Sequence, residues 1–188
     1  MTVVAFLDAN VLYQATVRSV LIELARVKVF RPLWSERVHQ EWTAALIRDR
    51  PDLSQAQIAR TRALMEAHVD DAMVTGYEPI TATLTLPDAD DRHVLAAAIH
   101  GGAVVIITAN LKHFPAAVLS NHSITAEHPD TFVCGLLSTY PQSSITAFAT
   151  DRARMTRPAM TVDEYLAALE RAGLITTAAA LRAHSNQL

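Results

Sequence analysis

Hydrophobic positions along this chain switch between two periods. Val3–Leu7 is a short apolar run that stops at Asp8, the pattern of a buried strand. From about Asn10 the spacing turns helical, with Leu12, Ala15, Val20, Leu21, Leu24 and Ala25 on one stripe of a single helix, and Pro32 punctuates beyond it. Ser35 suits the N-cap of a second helix through "LWSERVHQEWTAALIRDR". "SQAQ" at 54–57 is a capping box that opens a third helix running to about His68. A weak strand is expected around Ala72–Thr75. In "LPDADDRHVLAAAIHGG", Pro87 and Asp88 fit a helix start, and Gly101-Gly102 fits a stop. "AVVIIT" at 103–108 is apolar and β-branched, as in a strand buried on both faces. The apolar piece Val118–Ile124 is expected to add another strand.

Strands and helices thus alternate with short connections up to about residue 125, which predicts an α/β fold with a parallel sheet wrapped by helices. From Pro129 the pattern is helical throughout: "PDTFVCGLLSTY", "SSITAFATDRARM", "TVDEYLAALERAG" with a Thr161–Glu164 capping box, and "TAAALRAH". The expected organisation is a first domain over 1–127 and an all-helical C-terminal extension over 128–188, frayed past His184.

At 188 residues the chain can bury a full core, roughly 70% of the surface that the unfolded chain exposes. A formal charge of −3 neither advertises nor excludes a polyanionic partner, because a local patch can still be basic. Cys134 is the single cysteine, so no intrachain disulfide forms, and a reducing compartment is expected. The charge after "TVVAFL" rules against a signal peptide or a membrane span, which makes a cytoplasmic location the expectation.

The candidate chemistry is acidic. In a parallel α/β sheet, ligands bind beyond the carboxyl ends of the strands, where the strand order reverses. Asp8 ends the first strand, and Asn110 lies just past the strand at 103–108. Asp88, Asp90 and Asp91 open the helix that feeds that strand, and Glu41 lies on the second helix. Each has an ordinary reading: Asp8 as a helix cap, the three aspartates as a favourable first turn, Glu41 as a surface acid, Asn110 as a turn residue. Gathered at one sheet edge, however, carboxylates repel and lift one another's pKa values, and a cation relieves this. Oxygen ligands suit Mg²⁺ or Mn²⁺, whereas zinc calls for His and Cys. No HExxH pair is present, and His39, His93 and His113 are expected on helix surfaces or behind the ligands.

"FLDANVLY", "WSERVHQEW", "DADDRHVLAAAI" and "VVIITANLKHFP", in that order and over 3–115, resemble the motifs of the PIN domain family, the nuclease fold of VapC-type bacterial toxins. The resemblance implies a three-layer fold around a central parallel sheet. It assigns catalysis to Asp8, Glu41 and Asp91, with Ala96 and Ala98 as the small residues of the helix that follows. It also implies metal ligation by Asp8, Glu41, Asp88, Asp91 and Asn110, with Asn10 and Thr108 supporting them from behind. Thr108-Ala109-Asn110 departs from the family's T-x-D pattern: asparagine offers a carbonyl ligand without charge. A "TxNLKxFP" branch carries the same asparagine, and the helices from "HPDTFVCGLL" onward resemble that branch's C-terminal extension.

The activity implied is metal-dependent hydrolysis of phosphodiester bonds in tRNA or ribosomal RNA, by the toxin of a toxin–antitoxin pair. A cognate antitoxin and a homodimer are the implied partners. Arg18, Arg26, Lys28, Arg48, Arg50, Arg92 and Lys112 are candidates for a basic rim that meets the RNA. Trp34, Trp42 and Phe114 favour the core over base stacking. A DNA nuclease or ribosome-processing enzyme on the same fold, a phosphotransfer protein with Asp8 as nucleophile, and a PIN module that binds without cutting are the alternatives. Asn10 weighs against the phosphotransfer reading, which wants a D-x-D pair.

Overall fold

The structure, a computed structural model, describes residues 2–156 and 158–188. β1 (Val3–Leu7) is followed by α1 (Ala9–Tyr13), α2 (Ala15–Arg26), β2 (Phe30–Ser35), α3 (Glu36–Asp49), α4 (Gln55–His68), β3 (Met73–Val74) and α5 (Glu78–Thr81). Then come α6 (Arg92–His100), β4 (Val105–Ile107), α7 (Ala116–Leu119) and β5 (Thr125–Glu127). The helices α8 (Pro129–Thr139), α9 (Pro141–Arg154), α10 (Val162–Arg171) and α11 (Ile175–Leu181) complete the chain.

The sheet is five-stranded in the order β3-β2-β1-β4-β5, and all its pairings are parallel. The chain first moves outward from β1 to β2 and β3, then returns across β1 to β4. By the right-handed crossover rule, that reversal sends α2 and α6 to opposite faces. The sheet is therefore the middle layer, as expected of an α/β fold. Ala5, Phe6, Leu7, Ile106 and Ile107 are completely buried because side chains on both faces of these strands meet helices.

Helix starts follow the sequence closely. Ser35 caps α3, and Ser54 with Gln57, then Thr161 with Glu164, form complete capping boxes. Gly101 ends α6 where a Cβ would lie 2.6 Å from Leu33 Cδ1 and 2.9 Å from Val74 Cγ2, so glycine lets the helix end approach β2 and β3.

Several expectations need correction. Pro32 does not merely punctuate: it lies inside β2, paired with Ala5 of β1. In a parallel strand, alternate residues direct their amides to the same neighbour. Trp34 N donates to Ala72 O (2.9 Å), so residue 32 faces the β3 side too, but β3 starts only at Met73. Proline is tolerated there because no ladder partner awaits its missing N–H. The expected first helix is two, broken at Gln14. Arg18 sits at the break, donating to the carbonyls of Leu12 and Tyr13 and lying over the Trp42 ring at 5.1 Å. The last strand is Thr125–Glu127 rather than Val118–Ile124, whose first residues belong to α7. Nor does the tail fray past His184. Residues 182–187 wind into 3₁₀ turns, Leu188 packs on the core, and its main-chain oxygen accepts from Arg152 at 3.1 Å.

The C-terminal helices pack on α2, chiefly through α9, and Phe132 of α8 meets Phe30 of β2 edge-on at 5.1 Å between centroids. Two carboxylates secure them. Asp130 accepts from the amides of Thr176 and Thr177 at 2.8 and 2.9 Å, and Asp151 accepts from Ser19 and, at 2.7 Å, from Tyr165.

Candidate active site

The site lies at the carboxyl ends of β1 and β4, the strands between which the sheet order reverses, where ligands of such sheets bind. Asp8 follows β1 and caps α1, its Oδ1 accepting from Ala9 N at 2.6 Å. Its Oδ2 accepts from Thr108 Oγ1 at 2.7 Å and from the Asn10 side-chain amide. Asn10 ties the same strand ends a second time. It donates to Thr108 Oγ1 at 3.0 Å and accepts from Ala109 N at 2.9 Å. Thr108 Oγ1 also receives Asn110 N at 3.0 Å, so one buried hydroxyl organises the loop after β4.

Asp8 is only 4% exposed, and burial lifts its carboxyl above the ordinary 3.8. The Thr108 and Ala9 donors pull it down, while the negative charges of Asp91 and Glu41 push it up again. Asp91 and Glu41 therefore both lie within electrostatic reach of Asp8, although the three come from the end of β1, the middle of α3 and the start of α6.

Glu41 Oε1 is 2.9 Å from His93 Nε2 and 3.2 Å from Arg37 Nε. Burial would raise this carboxyl, but the His93 and Arg37 contacts outweigh it and hold it below 4.5. Asp91 Oδ2 lies 2.6 Å from His113 Nδ1, and Asp88 Oδ2 lies 3.8 Å from the same nitrogen. Asp88, Asp91 and His113 each offer one donor atom within 4.8 Å of the others, a grouping that a metal ion could bridge. Asp88 Oδ1 also accepts from Asp90 N at 3.0 Å, the first-turn role open to it in the sequence.

Asn110 is exposed, and its side chain makes no hydrogen bond among the described residues. It stands beside the site without being fixed in it. Both His93 and His113 touch the acids, and His93 is buried rather than on a helix surface. The signal for each was proximity in sequence, two residues after Asp91 and three after Asn110. Of the expected rim, Arg18 holds the α1–α2 break, while Arg26, Arg48 and Arg50 pair with Glu23, Asp49 and Asp52. Arg92 donates to Ala89 O at 3.1 Å beside the site, and Arg37 joins it from α3. Trp34, Trp42 and Phe114 are core residues, as expected.

Residues 4–112 match the family described as "PIN domain". The chain belongs to the PIN domain family. Residues 129–183 match a second family, "VapC50 C-terminal domain". Over 73 residues the chain is 42% identical to the protein described as "Putative ribonuclease VapC50" from Mycobacterium tuberculosis. That alignment covers 39% of this chain and 43% of the relative, so it spans less than half of either protein. No solved structure matches the chain. The PIN match contains the positions of Asp8, Glu41, Asp88, Asp91 and Asn110 and stops one residue before His113. Among the described residues no helix is long and apolar enough to cross a membrane.

Proposed function

We propose that this PIN domain chain is a divalent-cation-dependent endoribonuclease, the toxin of a toxin–antitoxin pair, which cuts structured RNA such as tRNA or ribosomal RNA. The observation that carries this reading is the Asp8 carboxyl, buried at the sheet's switch point and raised by burial and by the charges of Asp91 and Glu41. A fold that gathers repelling acids where substrates bind gains most from a cation there. The name of the mycobacterial relative, a ribonuclease, points to the same reaction class.

The donor set fits such a cation. Carboxylate oxygens suit Mg²⁺ or Mn²⁺, and His113 adds one nitrogen at the edge of the group. Asp8, Glu41 and Asp91 would hold the ion, with Asp88 and Asn110 available at the margin. When bound, it would polarise the scissile phosphate and make a coordinated water a stronger nucleophile.

The chain's own residues supply the frame. Thr108 and Asn10 fix Asp8, and His93 and Arg37 fix Glu41. Arg37, Arg92 and Lys112 offer positive charge to flanking phosphates. In this reading residues 1–127 form the nuclease unit and 128–188 an extension packed on it. The partners are the RNA, a cognate antitoxin that occludes the acids, and a second copy of the chain, all in the cytoplasm.

Incubating purified, antitoxin-free protein with total RNA tests the proposal, using Mg²⁺, Mn²⁺ or EDTA beside the Asp8→Asn variant. Discrete fragments that require both metal and Asp8 are expected. Fragments that persist in EDTA or with Asp8→Asn overturn the mechanism. No cleavage under any condition favours a binding module instead.

A further inference from the structure

We propose that His93 is a positioning residue for Glu41, holding the carboxylate by one oxygen so that the other faces the acidic edge. The proposal rests on the reading of Glu41 as a cation ligand. Glu41 is a long side chain on α3, its side chain 37% exposed, and it would otherwise sample several rotamers. The close contacts from His93 Nε2 (2.9 Å) and Arg37 Nε (3.2 Å) both fall on Oε1. Oε2 is thereby left for a cation.

Two features argue that this histidine serves the site rather than the core. First, it comes from α6, two residues after Asp91, so one helix start carries an acid of the site and the tether of another. Second, the tether imposes a cost on the fold. His93 is 2% exposed, and its Nδ1 is buried with no hydrogen-bond partner among the described residues. The contact with a carboxylate requires a proton on Nε2, and Nδ1, whether lone pair or N–H, is left buried and unmatched. An apolar side chain of similar volume would fill the same buried place without that penalty. Histidine there is explained by what its Nε2 does for Glu41. Outer residues of this kind are known to orient metal ligands and to influence affinity strongly.

Titration calorimetry of the full chain with MnCl₂ tests this, comparing wild type with Glu41→Gln, His93→Gln, His93→Asn and His93→Leu. Glutamine places an amide donor near the position of Nε2; asparagine reaches only to that of Nδ1; leucine keeps the volume and loses both nitrogens. His93→Asn and His93→Leu are expected to weaken Mn²⁺ binding by about 10- to 100-fold, and His93→Gln by much less. In a Glu41→Gln background the histidine substitutions should add nothing. Circular dichroism identifies variants that fold, and leucine serves where an amide is not tolerated. Wild-type Mn²⁺ affinity in a folded His93→Asn or His93→Leu variant, with Glu41→Gln impaired, overturns the positioning role alone. Wild-type affinity in Glu41→Gln overturns the reading of Glu41 as a ligand.

Discussion

Thr108 donates its hydroxyl to Asp8 Oδ2 across 2.7 Å, joining the ends of two neighbouring parallel strands whose last paired residues are Leu7 and Ile107. Thr108 Oγ1 in turn accepts from the Asn10 side chain and from the Asn110 main-chain N–H, so a single buried atom links the acid to both loops. Thr108→Val keeps the shape and removes that atom. We expect a loss of about 1–3 kcal/mol, the usual cost of leaving buried partners unsatisfied. In a chain of this size that lowers the melting temperature by roughly 2–4 °C per kcal/mol. An unchanged melting temperature would show that the hydroxyl is not holding the strand ends.

Asp8 sets the pH behaviour of the site. Burial above all raises its carboxyl. With no cation bound, its contribution to stability is fully present below the unfolded value and is lost as pH rises through the raised folded one. A divalent cation should reverse that trend by binding the ionised form. Mn²⁺ at about 100 times its dissociation constant should add about 2.7 kcal/mol. The gain should shrink as pH falls through the Asp8 value, because protons compete with the metal. Thermal melts with and without Mn²⁺ across the acid range read this directly, and Asp8→Asn should abolish the shift.

Asp130 behaves in the opposite sense. Burial alone would lift its carboxyl, yet the amides of Thr177 and Thr176 outweigh burial and hold it below 3.8. Its contribution is therefore present above the unfolded value and is lost as pH falls through the lowered folded one. Asp130→Ala should cost about 1–3 kcal/mol at neutral pH by stripping the acceptor from the start of α11. The deficit relative to wild type should narrow in acid. A deficit independent of pH would mean that shape, not charge, holds α11.

Asp151 is a buried acid whose cost can be removed. Burial pushes its carboxyl up, against hydrogen bonds from Ser19 and Tyr165. Both partners are hydroxyls, which can turn to accept as well as donate. Asp151→Asn should therefore raise the melting temperature at neutral pH, and the gain should vanish once the acid is protonated. A loss of stability at neutral pH would show that the charge is used, through Arg154, which also pairs with Glu23.

The sequence by itself determined many of the elements and the candidate acids. The apolar runs at Val3–Leu7 and 103–108 carried the pattern of buried strands, and the Ser35, Ser54 and Thr161 caps fixed where helices begin, because capping chemistry is local. What it left undetermined depended on neighbours distant in the chain. Pro32 lies in a strand only because β3 starts too late to need its amide. The helix break at Gln14 is held by Arg18, which folds back on Leu12 and Tyr13 while lying over the Trp42 ring of α3. Leu188 is docked by Arg152, from another helix. At the site, the resemblance of the motifs to the PIN family named Asp8, Glu41 and Asp91. Only the packing of α6 against the sheet and beside α3 showed that His93 grips Glu41, and only the turn after Asn110 brought His113 to Asp91. Local rules select residue types and element ends; which side chains share an oxygen is decided by tertiary packing, because those partners lie tens of residues apart in the chain.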